Sequence, residues 1–335
     1  MKAITLISGG LDSILAAKVV KDQGVEVIPL NFKIPFCQRK KNAQPDNTMS
    51  SFVKNNLGEE LRCMDISKDF MELVLNPKHG FGSNMNPCID CKITMLKKAK
   101  ELLGEWNAQF IVTGEVLGQR PMSQHRRALQ VIEKDSALEG LLLRPLSAKL
   151  FPETVPEKEL WVRREELFNF NGRSRRPQIN LARKLGISDY PNSAGGCLLT
   201  DLQFSNRLRD LIIHRQLNIE NVELLKIGRH FRLSASTKLI VGRNEIENKE
   251  LEYLVKETDY LFIPDQDLAG PACLGRGEFN DQLVELSCQI MSRYCDLNDA
   301  KRARIIYYRK DNSVTTPCVA EAFPICEGKL DSLRL

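Results

Sequence analysis

The chain has 335 residues, 42% hydrophobic and 27% charged, which is enough for two domains of ordinary size. This composition excludes a low-complexity or disordered chain, and no apolar run reaches the ~20 residues that a membrane-spanning helix needs. The net charge of +5, from 48 basic and 43 acidic residues, is too small an excess to imply a nucleic-acid partner by itself.

The first apolar run, residues 3–7, reads as a strand and residues 12–22 as a helix. Further strands are expected at 25–32, 60–66, 108–114 and from residue 141, with helices at 49–57 and 91–106 between them. On the second helix Ile93, Leu96, Ala99, Leu102 and Leu103 share one face. Strands alternating with helices predict an α/β fold, a parallel sheet with helices on both faces. Short helices follow in "REELFNF", "QINLARKLG" and "DLQFSNRLRDLIIHRQ". After about residue 220 the pattern becomes strand, turn, helix, strand, so a smaller C-terminal α+β domain is expected, with domains 1–217 and 218–335. The N-terminus enters a strand without the pattern of a secretory signal, which predicts a cytoplasmic protein with no membrane partner.

The junction "SGGLDS", residues 8–13, joins the first strand to the first helix. It lacks the lysine of a Walker loop and the three spaced glycines of a dinucleotide fingerprint. Its backbone N–H groups and helix N-terminus can still cradle an anion, and the Ser8 and Ser13 hydroxyls can donate to it. A carboxylate beside phosphate, Asp12, makes sense when Mg²⁺ bridges them. The bland alternative is an ordinary tight turn.

Ten cysteines in a cytosolic chain are expected to be mostly reduced. Cys88 and Cys91 form a C-x-x-C leading into the helix at 91–106, where a helix N-terminus favours thiolate. Cys197 sits in "AGGCLLTD", and Cys37 follows the second strand. A structural zinc site needs four closed ligands and no second C-x-x-C exists. Cys88, Cys91 and Cys197 can instead hold a [4Fe–4S] cluster, normally held by four cysteines, with one iron left open, and Cys37 is the reserve ligand. A persulfide on Cys197 or Cys91 is the alternative. Cys63, Cys273, Cys288, Cys295, Cys318 and Cys326 are read as core or surface thiols.

Basic residues crowd two regions. Arg173, Arg175 and Arg176 stand with Arg163, Arg164, Arg183 and Lys184, and Lys301, Arg302, Arg304 and Arg309 interleave with Tyr307 and Tyr308. Such clusters suit a phosphate backbone and unstacked bases, or are simply solvated surface.

The "SGGLDS" string resembles the signature of the PP-loop pyrophosphatase family, with an adenine nucleotide α-hydrolase-like fold. "VTGEVLGQRPMSQ", "PCIDCKITMLKKA" and "LLLRPLSA" resemble stretches of the tRNA 4-thiouridine synthases, and the C-x-x-C region is also similar to that of tRNA 2-thiouridylases. The resemblance implies that Ser8, Gly9, Gly10, Asp12 and Ser13 hold ATP with Mg²⁺. It implies that Gly114, Glu115, Gln119 and Ser123 line the adenylate and the target base, with a capping or salt-bridged role the alternative for Glu115. Cys88, Cys91 and Cys197 would deliver sulfur, from sulfide or a desulfurase-derived persulfide, to a uridine of tRNA. The implied product is 4-thiouridine. The alternatives are 2-thiouridine or a small-molecule acceptor. Members of the family carry a ferredoxin-like region and a THUMP domain before the PP-loop, and here the second domain is expected to grip RNA in their place. Its "RHFRLSASTKLIVGRNEIENKELEYLV" resembles the RNA-binding domain of the NFACT family, which implies RNA contacts from Arg229, Arg232, Lys238 and Arg243. A homodimer is compatible with this scheme.

Overall fold

The computed structural model describes residues 1–37, 45–188, 190, 196–266, 268–297, 301–310 and 316–335. The chain divides into two compact units, Met1–Thr200 and Asp201–Leu335.

The first unit opens with β1 (Lys2–Leu6), α1 (Leu11–Lys21), β2 (Glu26–Lys33), α2 (Pro45–Leu57), β3 (Arg62–Asp65) and α3 (Ser67–Leu75). It continues through α4 (Cys88–Glu105), β4 (Phe110–Val112), α5 (Arg126–Asp135), β5 (Leu142–Leu143), α6 (Val155–Lys158) and α7 (Arg176–Lys184). Among the described residues the sheet has five strands in the order β3-β2-β1-β4-β5, all parallel. The expected helix in "REELFNF" is only a 3-10 turn at Arg164–Glu166. Residues 67–75 and 126–135 are helices that the apolar pattern left unread, because each buries only two or three side chains.

β1 is buried over Ala3 and Ile4, and α1 buries Leu11, Ile14, Leu15, Val19 and Val20. Ala3 and these α1 residues join Val25, Val27, Phe52, Val53, Phe110 and Leu143 in one core. A helix apolar on most of its circumference must be covered on several sides, and α2 and α7 lie beside α1. The chain leaves β1 for β2 on one side and returns to β4 on the other. The carboxyl ends of β1 and β4 therefore flank the point where strand order reverses, where open α/β sheets bind ligands.

The second unit contains α8 (Leu202–Ile213), α9 (Ile219–Leu224), β6 (Arg229–Arg232), β7 (Lys238–Val241), α10 (Glu245–Leu254) and β8 (Tyr260–Pro264). It ends with β9 (Cys273–Arg276), α11 (Asp281–Ser292), β10 (Ala303–Arg309), β11 (Cys318–Ala322) and α12 (Glu327–Leu333). Six described strands form an antiparallel sheet in the order β11-β10-β8-β9-β7-β6. Successive residues of a strand point to opposite faces. Leu239, Val241, Phe262 and Cys273 accordingly pack with Cys288 and Met291 of α11. Ile240, Leu261 and Leu274 pack with Leu224 and Leu251 on the other face.

The division at Thr200 falls ahead of the boundary expected at 217/218. The reason is α8. Arg207 donates to Leu225 O at 3.1 Å, and Asp210 accepts from Arg232 Nε at 3.0 Å and pairs with Lys238 Nζ at 3.0 Å. Among the described residues no helix is long and apolar enough to cross a membrane.

Candidate active site

The Ser8–Ser13 loop is held open by its own side chains. Ser13 Oγ donates to Gly10 O at 2.8 Å and accepts from Ser8 N at 3.2 Å, and Ser8 Oγ accepts from Gly10 N at 3.4 Å. Gly9 has φ of +77°, a left-handed conformation that favours glycine. The loop sits directly on the end of β4. A Cβ on Gly114 would lie 2.5 Å from Ser13 N and would overlap the Asp12 carbonyl.

Asp12 leads α1. Its Oδ2 accepts from Gln119 Nε2 at 2.6 Å, and its Oδ1 stands 3.6 Å from Arg175 Nη2. Gln119 Oε1 accepts from Gln178 Nε2 at 2.7 Å. Arg173 and Arg176 are exposed, whereas Arg175 is half-buried against Asp12 and so departs from the basic surface expected of all three.

Glu115 is 2% exposed and Arg144 4%. Burial pushes the Glu115 carboxyl up, but Lys92 and Arg144 outweigh it and hold the group below the ordinary carboxylate value. Arg144 Nε donates to Glu115 Oε2 at 3.1 Å and Nη1 to Glu133 Oε2 at 2.7 Å, while Lys92 Nζ lies 3.8 Å from Glu115 Oε1. Thr113 Oγ1 donates to Glu115 Oε2 at 3.3 Å. Glu115 is therefore salt-bridged in this structure, to Arg144 just after β5 and to Lys92 of α4. Ser123, expected at the adenylate, is also buried.

Cys88 is the first residue of α4 and Cys91 follows on its first turn, with Cys91 N donating to Pro87 O at 2.8 Å. Cys37 and Cys197 form a β-bridge, and Leu198 N donates to Phe36 O at 2.9 Å. Cys37 is thus paired with Cys197, and Cys88 with Cys91 on one helical turn, and ionisation of Cys91 would be opposed by ionisation of Cys197, Cys88 and Cys37. The expected lowering of the thiol pKa values does not hold in this structure. Burial pushes Cys91 and Cys88 up and Cys197 up to about 11, and it outweighs the nearby cations Lys92 and Arg120. Among the described residues no three of His, Cys, Asp or Glu are grouped closely enough to hold a single metal ion as they stand. Residues 193–195, ahead of Cys197, lie outside the described residues.

Sequence reading missed Lys92, Arg144 and Gln178 as site residues. Arg144 carried a signal, a guanidinium inside the apolar run "LLLRPL", since a buried cation requires a partner.

In the second unit Arg232 and Lys238 are internal. Both pair with Asp210, at 2.5 and 3.0 Å, so neither is the RNA contact expected of it. Burial pushes Lys238 down to about 8 despite Asp210. Arg243 Nη2 donates to Gly228 O at 2.6 Å, and Arg229 lies 4.7 Å over the Tyr294 ring. Arg302 and Arg304 have side chains 54% and 63% exposed and pair at the surface with Glu321 at 3.7 Å and Asp265 at 3.0 Å; Arg302 also covers the exposed Phe323 ring at 4.3 Å.

Residues 1–149 match the family model of the thiamine biosynthesis protein (ThiI), and residues 228–325 match that of the NFACT protein RNA binding domain. A "Probable tRNA sulfurtransferase" of Thermococcus kodakarensis is 29% identical over 145 residues, 43% of this chain and 36% of that protein. A tRNA-specific 2-thiouridylase of Pelobacter propionicus is 33% identical over 96 residues, 27% of this chain and 26% of its own length. The chain thus spans about a third or less of these relatives. Among solved structures, a 4-thiouridine synthetase–RNA complex with bound ATP is similar at TM-score 0.35 and 22% identity, over 55% of this chain and 51% of that one. By sequence, the chain joins an N-terminal segment similar to ThiI-type PP-loop proteins to a C-terminal segment similar to the RNA-binding domain of NFACT proteins.

Proposed function

We propose that the chain is an ATP-dependent tRNA thiouridine synthase that replaces a uracil carbonyl oxygen with sulfur and gives 4-thiouridine. The observation that carries this reading is segment 114–120, which reaches both the phosphate loop and the thiols. Gly114 and Gln119 touch Asp12 of the phosphate loop. Glu115 pairs at 3.8 Å with Lys92, the neighbour of Cys91, and the positive charge of Arg120 acts on Cys88 and Cys197.

The uracil oxygen attacks the α-phosphorus of ATP and pyrophosphate leaves. Sulfide then adds at the carbon bearing that oxygen and AMP leaves with the oxygen, so one uridine, one ATP and one sulfide become thiouridine, AMP and pyrophosphate. Ser8, Gly9, Gly10 and Ser13 offer donors to phosphate at the helix N-terminus. Asp12 would hold Mg²⁺ there, which neutralises charge on the leaving pyrophosphate. The basic stripe of β10, with the Arg302–Phe323 pair, supplies charge and a stacking surface for RNA.

The thiol set suits a [4Fe–4S] cluster on Cys88, Cys91 and Cys197, with Cys37 close by. Thiols pushed up by burial stay protonated unless a cation draws the proton off, and bound iron does so. A cube presents its irons at separate corners, so its thiolates stand farther apart than the ligands of one ion. When bound, the cluster offers an open iron that can carry sulfide. Cys88→Ala is expected to lose most of its iron in anaerobically purified protein, read by metal analysis and visible absorbance; full iron content would favour persulfide chemistry.

The similarity to a 2-thiouridylase supports a second product, 2-thiouridine. Nucleoside mass spectrometry of tRNA from a host lacking its own 4-thiouridine synthase, with wild type or Asp12→Ala expressed, decides between them. The expected result is 4-thiouridine with the wild type alone. 2-Thiouridine would keep the chemistry and move the target, and no thionucleoside would defeat the tRNA reading.

A further inference from the structure

Helix α7 brings to Asp12 side chains that the reaction above does not use. Arg175 caps its N-terminus and sets Nη2 3.6 Å from Asp12 Oδ1, an ion pair without a hydrogen bond. Gln178, in the first turn, is completely buried. Its Nε2 donates to Gln119 Oε1 at 2.7 Å, and Gln119 Nε2 donates to Asp12 Oδ2 at 2.6 Å. One carboxylate oxygen therefore answers to α7 by charge, and the other through two amides.

Three buried atoms of this set have no hydrogen-bond partner among the described residues: Asp12 Oδ1, Arg175 Nε and Gln178 Oε1. Buried polar atoms are nearly always paired, so a cluster of unpaired ones marks where a ligand completes the arrangement. The set asks for opposite things. The carboxylate oxygen suits a cation, and the guanidinium N–H suits an anion. A nucleotide triphosphate with its divalent cation brings both.

We propose that Arg175 is a phosphate arm: it supplies the positive charge at Asp12 while the site is empty, and turns to the nucleotide's phosphates when the site loads. This rests on the ATP reading above. Once a divalent cation takes the Asp12 charge, Arg175 loses its partner just as phosphate oxygens arrive within reach. A guanidinium binds phosphate through paired, charge-assisted hydrogen bonds, which an ammonium cannot copy. Gln178 and Gln119 are positioning residues that keep the carboxylate aimed while its charge partner changes.

The test uses the full chain as wild type, Arg175→Gln, Arg175→Lys and Gln178→Met. Mn²⁺ alone is titrated by electron paramagnetic resonance of the free ion. A non-cleavable α,β-methylene ATP with Mg²⁺ is titrated by calorimetry, and tRNA by filter binding. Arg175→Gln is expected to weaken the nucleotide at least about tenfold and to bind Mn²⁺ alone several-fold more tightly, because no guanidinium competes for Asp12. Arg175→Lys restores wild-type Mn²⁺ affinity and only part of the nucleotide affinity. Gln178→Met weakens both, and tRNA affinity holds throughout.

Loss of both affinities in Arg175→Gln would make the arginine merely structural and overturn the proposal. Loss of tRNA affinity with the other two titrations unchanged would return Arg175 to the RNA surface and overturn it too. A wild type that binds no nucleotide defeats the ATP reading instead, and the Mn²⁺ titrations still show whether Arg175 competes for Asp12.

Discussion

Glu115→Ala is expected to destabilise the first unit by about 3–5 kcal/mol, the usual cost of leaving a buried charge without its partner. The charge left behind is Arg144, 4% exposed, which would keep Glu133, the carbonyl of Leu129 and the face of Phe151. Lys92 would lose its contact as well. Urea unfolding followed by circular dichroism reads the loss, and an unchanged midpoint would mean that Glu133 alone satisfies Arg144. The same pair predicts an acid dependence. The folded-state Glu115 carboxyl sits below its ordinary value of 4.5, so its contribution is complete above that pH. It is lost as the pH falls through the lower, folded-state value. Glu115→Gln should remove that acid-side slope, while a slope kept intact would assign it to other carboxylates.

Gly114→Ala is expected to lower ATP-dependent AMP release at least about 100-fold, since a displacement near 1 Å can cost that much in catalysis. The added carbon cannot be absorbed by a flexible side chain, because the atoms it meets are the backbone of Asp12 and Ser13. Either the end of β4 or the start of α1 must move, and both define the phosphate loop. Secondary structure should persist, because the clash is confined to one contact between Gly114 and the Asp12–Ser13 backbone, while Val112, Val116, Leu11 and Ile14 around it remain in the core. AMP release by chromatography, beside a circular dichroism spectrum, separates the two effects. Wild-type AMP release would show that the contact between strand and loop is not needed for turnover.

The phosphate loop was legible in sequence because strand, glycines and helix start are contiguous. The alternation of strands and helices was legible for a similar reason, since each element carries its own apolar period. The Asp12–Gln119–Gln178 relay was not, as its amides stand 59 positions apart and nothing local distinguishes Gln178 from a surface glutamine. The thiol pKa values misled for the same reason. A helix start is visible in "NPCIDCK", but the burial that outweighs it is supplied by other parts of the chain. Arg232 and Lys238 looked like phosphate contacts because their carboxylate, Asp210, lies on α8, more than twenty residues upstream. The apolar face of α8 reads alike whichever unit it covers.

Asp210 has a consequence for modularity. It is one carboxylate serving Arg232, Lys238 and His214, so it acts as the keystone of the basic sheet. A piece cut at residue 218 would carry two buried cations without their counter-charge. A piece cut at 201 keeps the keystone. The portable unit of this architecture, the one that recombination or an engineer could graft onto another enzyme, therefore starts with α8 and not with the first strand of the sheet.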